Sequence, residues 1–359
     1  RIDKEEWAGQ WGKVRYSLAQ LMYPSGGERQ AKRRALIVDL APPAFASEHH
    51  SPLAGVKDGE LERMAGTGLN PDQMAAVRHV AAAEDYSLLL GMPGTGKTTT
   101  VAAIVRVLAK LGKRVLISAY TNSAVDSVLL KLLDLEVDFL RLTASSSAKT
   151  HPRLAPHVLH PGSETSSAEL SNKVSSARVV ATTCLSAGAA ALRGQDFDVC
   201  IVDEASQVTQ PVCLAPLRLA RTFLLVGDHN QLRPLVVSEA ARELGFDTSL
   251  FQRLADGQPH AVISLTRQYR MQLEIMGLAN ELVYEHRLVT GSAAVASRAL
   301  LSSSPSETLA VWASPLGASG SGAADRGVRR WMEEALAVER AVIFIDTGAV
   351  SVRAKTAEG

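Results

Sequence analysis

A glycine-rich stretch beside a lysine and several threonines is the most chemically informative segment of the sequence. The residues "GMPGTGKTTT", at positions 91–100, match the pattern G-x-x-x-x-G-K-[ST] through Gly91, Gly96, Lys97 and Thr98. Glycines let several backbone N–H groups point at phosphates, and the following helix adds the partial positive charge of its N-terminus. Lys97 would reach the β- and γ-phosphates, and the Thr98 hydroxyl would bind Mg²⁺. The segment therefore predicts a nucleoside-triphosphate site.

Two acidic residues close the apolar run "DVCIVDE" and supply groups that a phosphate cradle lacks. Parallel α/β sheets bind ligands at the carboxyl ends of their strands, which is where Asp203 and Glu204 fall. Asp203 is predicted to hold Mg²⁺, and Glu204 to orient and deprotonate the attacking water. With the glycine-rich loop, the pair predicts nucleotide hydrolysis.

Three further segments favour a motor over other phosphate-binding proteins. Gln73, in "LNPDQMAAV", precedes the loop at a distance from which its amide could read an adenine edge. Gln231, in "LLVGDHNQLRP", follows another strand and is predicted to sense the γ-phosphate. In "LTRQYRM", Arg270 could stabilise charge on the transferring phosphoryl group, and Tyr269 could stack on the base.

Hydroxyl side chains follow two other predicted strands, in "AYTNSAVDS" and "VVATTC". At strand-to-helix turns, such groups suit contacts with the phosphate backbone of a single strand. We therefore predict nucleic-acid contacts at Thr121, Ser123 and Thr183. For Thr121 and Ser123, the structural alternative is capping of the helix that follows.

The elements that must position these residues alternate regularly along the middle of the chain. Short apolar runs, from "YSLLL" to "AVISL", are separated by segments with apolar residues at steps of three and four. This alternation predicts an α/β fold with a doubly wound parallel sheet and crossover helices. Residues 143–176, rich in Ser, Pro and His, are predicted to be a solvated loop rather than a metal site. The Ala-, Ser- and Gly-rich residues 291–327 are predicted to be linker-like, and "AVIFID" to begin a further unit.

Composition narrows the class of protein. The formal net charge of +1 over 359 residues neither proposes nor excludes nucleic acid as a partner. There is no apolar run of the roughly 20 residues that a membrane helix needs, so no membrane is expected as a partner. Cys184, Cys200 and Cys213 lack CxxC spacing and are predicted to be buried thiols in a reducing compartment. Arg1 stands in the place of an initiator methionine, so we expect a piece of a longer protein.

The order of the motifs resembles superfamily 1B helicases. These motifs are "LNPDQ", "GMPGTGKTTT", "SAVD", "VDEASQ", "GDHNQLRP" and "RQYRM". The segments "YTNSAVDSVLLKL", "SLFQRL", "IMGLANELVYEHRL" and "ALIVDLAPPAF" are similar to the helicase half of the eukaryotic DNA replication ATP-dependent helicase/nuclease family. The resemblance also assigns Gly94 to the ATP site, beside the residues named above, and we predict that Thr95 and Thr99 of the same segment bind the nucleotide as well.

This resemblance implies a RecA-like P-loop NTPase fold, with ATP hydrolysed between two RecA-like domains. We expect a connecting segment at 1–68, the first RecA-like domain at 69–265 and a truncated second domain at 266–359. The family's 5′ to 3′ translocation on single-stranded DNA, with roles in Okazaki-fragment and DNA-end processing, is the expected activity of the whole protein. The resemblance also implies a single-stranded DNA-binding protein as a partner, and a location in the nucleus with the mitochondrion as alternative.

The chain lacks parts of that family's machinery. Three scattered cysteines cannot ligate its four-cysteine iron–sulfur cluster, which we expect, with the nuclease site, only upstream. The later motifs of the second RecA-like domain are also missing, so the chain alone should bind ATP but hydrolyse it poorly. Two alternatives stay open: an RNA helicase of the same superfamily, because phosphate contacts do not distinguish DNA from RNA, and an inactive fragment that binds nucleic acid.

Overall fold

The fold is given by a computed structural model that describes residues 4–23, 27–144, 150–160 and 167–298. These residues form two compact units, the first ending at Gln268 and the second beginning at Tyr269. Within the described ranges, none of the helices combines the length and apolarity needed to cross a bilayer.

A parallel sheet of eight strands forms the centre of the first unit. The strands are β1 (Tyr86–Gly91), β2 (Val115–Ala119), β3 (Leu140–Leu142), β4 (Val158–Leu159), β5 (Val179–Thr183), β6 (Phe197–Asp203), β7 (Ala220–Gly227) and β8 (Val262–Leu265). Their order across the sheet is β4-β3-β5-β2-β6-β7-β1-β8, and neighbouring strands pair in parallel. The predicted α/β fold with a parallel sheet is confirmed.

Helices connect these strands and cover the sheet. They are α1 (Lys4–Met22), α2 (Gly27–Ile37), α3 (Asp58–Ala65), α4 (Pro71–Ala82), α5 (Lys97–Lys110), α6 (Asn122–Asp134), α7 (Ser167–Ser176), α8 (Gln210–Leu217), α9 (Glu239–Glu243) and α10 (Leu250–Gly257). The apolar stripe of α5 is buried at Val101, Ile104, Val105 and Leu108. The chain turns at Gly112, whose φ of 80° few other residues adopt without strain. A short strand, β9 (Arg267–Gln268), ends the unit.

Helix α2 packs against the sheet of the first unit. The buried Arg33 of α2 donates to the carbonyl oxygens of Arg218 and Ala220, at the start of β7. Lys32 forms an ion pair with Asp85, which directly precedes β1. A boundary between a connecting segment and a RecA-like domain near residue 68 remains a prediction.

The prediction of a solvated loop over residues 143–176 is wrong in part. The described residues of this range include a 3₁₀ helix over Pro152–His157, the strand β4 and the helix α7. Leu154 and Val174 are fully buried, and the His157 ring packs against Phe139 with centroids 4.6 Å apart. Leu154 and Val158, like Leu170 and Val174, form a single i, i+4 pair in a polar segment, which is too little to show a periodicity.

The second unit is described up to residue 298. It contains α11 (Leu273–Ala279), a π-helical turn over Asn280–Tyr284, β10 (Val289–Thr290) and α12 (Ala293–Ala296). The buried amide of Asn280 donates to the Leu288 carbonyl and accepts the Leu288 N–H, which closes the loop between the turn and β10. Most of the linker-like range 291–327 and all of "AVIFID" lie outside the described residues.

Candidate nucleotide and nucleic-acid site

The predicted site residues of the first unit gather at the carboxyl edge of the sheet. Gly91 ends β1 and is paired with Leu265 of β8, while Leu90 is paired with Gly227 at the end of β7. Ala119, at the end of β2, is paired with Asp203 of β6 on one side and with Thr183 of β5 on the other. The strand order therefore places the predicted nucleotide residues after β1, β7 and β6, and the predicted nucleic-acid residues after β2 and β5.

The glycine-rich loop lies between β1 and α5, as its motif predicts. Gly94 and Gly96 adopt φ values of 73° and 82°, which glycine tolerates without strain. The Thr95 hydroxyl donates to the Met92 carbonyl at 2.7 Å and fixes the loop internally. Lys97 opens α5 and its Nζ donates to the Gly91 carbonyl at 2.8 Å. Thr98 and Thr99 follow in the first turn, partly exposed.

Gln73 lies against this loop from the start of α4. It forms a capping box with Asn70: the Gln73 N–H donates to Asn70 Oδ1 at 3.0 Å, and the Asn70 N–H donates to Gln73 Oε1 at 3.1 Å. Gln73 Nε2 also donates to the Thr95 carbonyl at 3.3 Å. An amide group has two donors and two acceptor sites, so these bonds use one donor and one acceptor site of the Gln73 side chain. Contact of the remaining pair with an adenine edge stays a prediction.

The acidic pair lies at the end of β6. Asp203 is buried, and its Oδ1 accepts the Glu204 N–H at 3.0 Å. Burial and, secondarily, the charge of Glu204 raise the pKa of Asp203 to about 6, against the opposing effects of the Glu204 N–H and the charge of Lys97. Glu204 has a φ of 52°, the left-handed region that non-glycine residues rarely adopt. Such backbone strain is concentrated at functional sites.

A serine joins this strand end to the next one. Ser206 Oγ accepts the Asp228 N–H at 3.2 Å, and a Cβ on Gly227 would lie 2.9 Å from the Ser206 backbone nitrogen. Asp228 in turn accepts the Gln231 side-chain amide at 2.6 Å. The segments after β6 and β7 are therefore held together, with Gln231 oriented by Asp228.

The hydroxyl groups after β2 and β5 have structural partners. Thr121 Oγ1 caps α6 by accepting the Ala124 N–H at 3.2 Å and lies 3.1 Å from Ser123 Oγ. Thr183 is largely buried and donates to Ser186 Oγ at 2.9 Å. The capping alternative is thus observed for Thr121. Thr121 and Ser123 remain exposed enough for a phosphate contact, which stays a prediction for all three residues.

Tyr269 and Arg270 are the first two residues of the second unit. Both side chains are exposed. Their predicted roles at the base and at the transferring phosphoryl group remain predictions.

Two polar residues lie in the motif segments but are not predicted from their spacing: Asp72 in "LNPDQ" and Ser206 in "VDEASQ". A third, the buried Arg141, donates to Asp126 and Asn122 of α6. Each acts through a tertiary hydrogen bond, which residue spacing does not reveal. A cavity of about 760 Å³ lies between α1, residues 184–194 and α8, and no predicted site residue lines it.

The residues present fit a magnesium nucleotide. Mg²⁺ prefers oxygen ligands, and Thr98 and Asp203 offer a hydroxyl and a carboxylate. Two of the glycines lie close to neighbouring side chains, since a Cβ on Gly91 would lie 1.9 Å from Lys97 Cγ and one on Gly96 would lie 2.9 Å from Gln73 Nε2.

Family models agree with this geometry. A model described as "AAA domain" matches residues 68–164 and 161–239, and a second model of that description matches residues 246–358. The chain is 43% identical over 305 residues to the DNA replication ATP-dependent helicase/nuclease DNA2 of Mus musculus, which covers 84% of this chain and 28% of that protein.

The chain belongs to this helicase/nuclease family. It is also 38% identical over 348 residues to the DNA replication ATP-dependent helicase/nuclease JHS1 of Arabidopsis thaliana, which covers 97% of this chain and 24% of that protein. With DNA2 of Saccharomyces cerevisiae the identity is 36% over 368 residues, 96% of this chain and 23% of that protein. The chain thus corresponds to the helicase region and spans about a quarter of the length of these relatives.

Proposed function

We propose that this chain is the ATP-driven motor region of a DNA helicase/nuclease that moves 5′ to 3′ along single-stranded DNA. The observation that carries the proposal is the common edge of the sheet. Residues suited to a nucleotide follow β1, β7 and β6, and residues suited to a phosphate backbone follow the adjacent β2 and β5. A motor needs both sites in one rigid frame.

Each residue of the proposed nucleotide site has a role in this proposal. The loop Gly91–Gly96 cradles the phosphates, Lys97 leaves the Gly91 carbonyl to contact the β- and γ-phosphates, and Gln73 and Tyr269 hold the base. Thr98 and Asp203 hold Mg²⁺, which neutralises charge on the phosphates when it is bound. Glu204 orients and deprotonates water, while Gln231 and Arg270 contact the γ-phosphate.

The whole protein's substrates follow from the same proposal. The relatives are DNA replication ATP-dependent helicase/nucleases. From the family resemblance we propose that the whole protein acts on Okazaki fragments and DNA ends in the nucleus, with a single-stranded DNA-binding protein as partner and an iron–sulfur nuclease region elsewhere in the protein.

The first test separates binding from turnover. Lys97→Ala should abolish ATP binding, because it removes the charge that faces the phosphates. In the intact protein, Glu204→Gln should bind ATP like the wild type yet lose DNA-stimulated turnover, because an amide cannot accept the proton of water. Equal ATP affinity in wild type and Lys97→Ala, or persistent turnover in Glu204→Gln, would refute these assignments.

The second test concerns the nucleic acid. In the intact protein, we expect single-stranded DNA to stimulate ATP hydrolysis more than single-stranded RNA of the same sequence and length. Equal or stronger stimulation by RNA would favour an RNA helicase of the same superfamily instead.

A further inference from the structure

Asp72 joins the start of α4 to the end of the sheet. Its Oδ2 accepts the Thr266 N–H at 3.1 Å, the Thr266 hydroxyl at 2.8 Å and the Arg267 N–H at 3.0 Å. The Asp72 and Thr266 positions are 194 residues apart in the sequence, so the contact is purely tertiary. Hydrogen bonds to an ionised carboxylate are stronger than those between neutral groups.

The Asp72 carboxyl group is kept ionised by these contacts. Partial burial alone would raise its pKa, but the hydrogen bonds from Thr266 and Arg267 and the charge of Arg267 hold the pKa below its ordinary value. The anchor is therefore intact throughout the neutral pH range.

Three segments of the candidate nucleotide site converge at this anchor. The glycine-rich loop begins at Gly91, which is paired with Leu265, the residue directly before Thr266. Gln73, the neighbour of Asp72, donates to the Thr95 carbonyl in the same loop. The start of α4 is thus fixed on one side to the loop and on the other to the corner formed by Thr266 and Arg267.

The corner also carries a buried donor. Arg267 Nε is buried and has no hydrogen-bond partner among the residues that the structure describes. A buried donor without a partner is costly, so a bound ligand that accepted this N–H would remove that cost.

We propose that Asp72 is a positioning residue for recognition of the nucleotide base. It holds the base-reading end of α4 against the Thr266–Arg267 corner, so that Gln73 presents its remaining donor and acceptor in a single orientation suited to adenine. This inference rests on the proposed function, which supplies the ATP site.

The test compares two nucleotides in variants of the anchor. Dissociation constants of Mg-ATP and Mg-GTP are measured by calorimetry, and the wild type should prefer ATP. For Asp72→Ala we expect an approximately tenfold weaker affinity for ATP and little change for GTP, as loss of a charge-assisted hydrogen bond would produce. Thr266→Val, which removes one of the three hydrogen bonds, should show part of this loss, and Thr266→Ser should restore the wild-type preference.

Glu60→Gln is the matched control, because Glu60 is also an acidic residue in the first turn of a helix but is exposed. It should keep the wild-type ratio of ATP to GTP affinity. An equal loss of both affinities in Asp72→Ala would mean that Asp72 only supports the fold, and no change in either affinity would likewise overturn the inference. If the wild type binds neither nucleotide, the proposed function fails instead.

Discussion

Asp203 has to carry its charge in a buried position. Because its pKa in the folded state, about 6, lies above the ordinary value of 3.8, the folded protein binds a proton more tightly than the unfolded chain does. Stability therefore falls as the pH rises from 4 to 6, and the cost is complete above that range. The proposed role of Asp203 as a Mg²⁺ ligand would explain why such a cost is retained.

The first prediction concerns this cost. In metal-free buffer at pH 7.5, Asp203→Asn should be more stable than the wild type by on the order of 2–3 kcal/mol, and the difference should roughly halve by pH 5. Urea unfolding at the two pH values measures it. Asp256→Asn, at an exposed aspartate of α10, is the control and should show no such pH dependence. A difference that is the same at both pH values would contradict the assigned burial effect.

Glu204 gives a second prediction at the residue scale. In the left-handed region a side chain costs roughly 1–2 kcal/mol, which glycine avoids. Glu204→Gly should therefore be more stable than Glu204→Ala by about 1 kcal/mol in thermal or urea unfolding. At Glu62, inside α3, the order should reverse, with the glycine variant less stable by about 1 kcal/mol. The same order at both positions would argue against strain at Glu204.

At the scale of elements, the loop between β1 and α5 leaves no space at its first glycine. A Cβ on Gly91 would overlap Lys97 Cγ and Cδ, at 1.9 Å and 2.3 Å. Gly91→Ala should therefore shift the Cγ and Cδ of Lys97, and with them the position from which Nζ turns to the phosphates. We expect Mg-ATP binding to weaken by at least about tenfold, although every charged group of the site is still present. Gly68→Ala, where the space is open, should bind Mg-ATP like the wild type. Calorimetry measures the dissociation constant of Mg-ATP for both alanine variants. Equal Mg-ATP affinities of Gly91→Ala and Gly68→Ala would contradict the steric explanation.

An element could be predicted from the sequence when its own residues carry a clear apolar periodicity. The strands from β1 to β8, except the two-residue β4, and the helices α5 and α6 are confirmed because their apolar periodicity lies within single segments. The helix α7 was missed because it owes its burial to a few tertiary contacts, such as the bond from Arg114 to the Val174 carbonyl.

The same limit applies to the candidate site. The P-loop and the acid pair were predictable from motifs, since their spacing encodes the turn that presents them. The roles of Asp72 and Ser206 depend on partners distant in sequence, Thr266 and Asp228, which are brought close only by the strand order.

At the scale of the whole molecule, charge is nearly balanced, with 38 basic and 37 acidic residues. The predicted nucleic-acid contacts Thr121, Ser123 and Thr183 are uncharged hydroxyls. Few counterions should therefore be released when a single strand binds at these residues.

The fourth prediction follows from this balance. The affinity of this chain for single-stranded DNA should fall with a slope of about −2 or shallower in a plot of log affinity against log salt, as expected for no more than about three neutralised phosphates. Fluorescence anisotropy with a labelled oligonucleotide in a series of KCl concentrations measures the slope. A slope steeper than about −4 would show that a basic surface, rather than the hydroxyls, dominates binding.

The pairing of Ala119 with both Asp203 and Thr183 has a consequence for the proposed coupling of ATP hydrolysis to nucleic-acid binding. Neighbouring strands lie about 4.8 Å apart. The proposed nucleotide residues at the end of β6 and the proposed nucleic-acid residues after β2 are therefore separated by a single strand spacing. A displacement of Asp203 by a fraction of an ångström would reach the ends of β2 and β5 through two rows of backbone hydrogen bonds, without any relay of side chains. In such an arrangement the sheet itself would couple the two proposed sites, and its stiffness would set how much of a displacement at Asp203 reaches the residues proposed to bind nucleic acid.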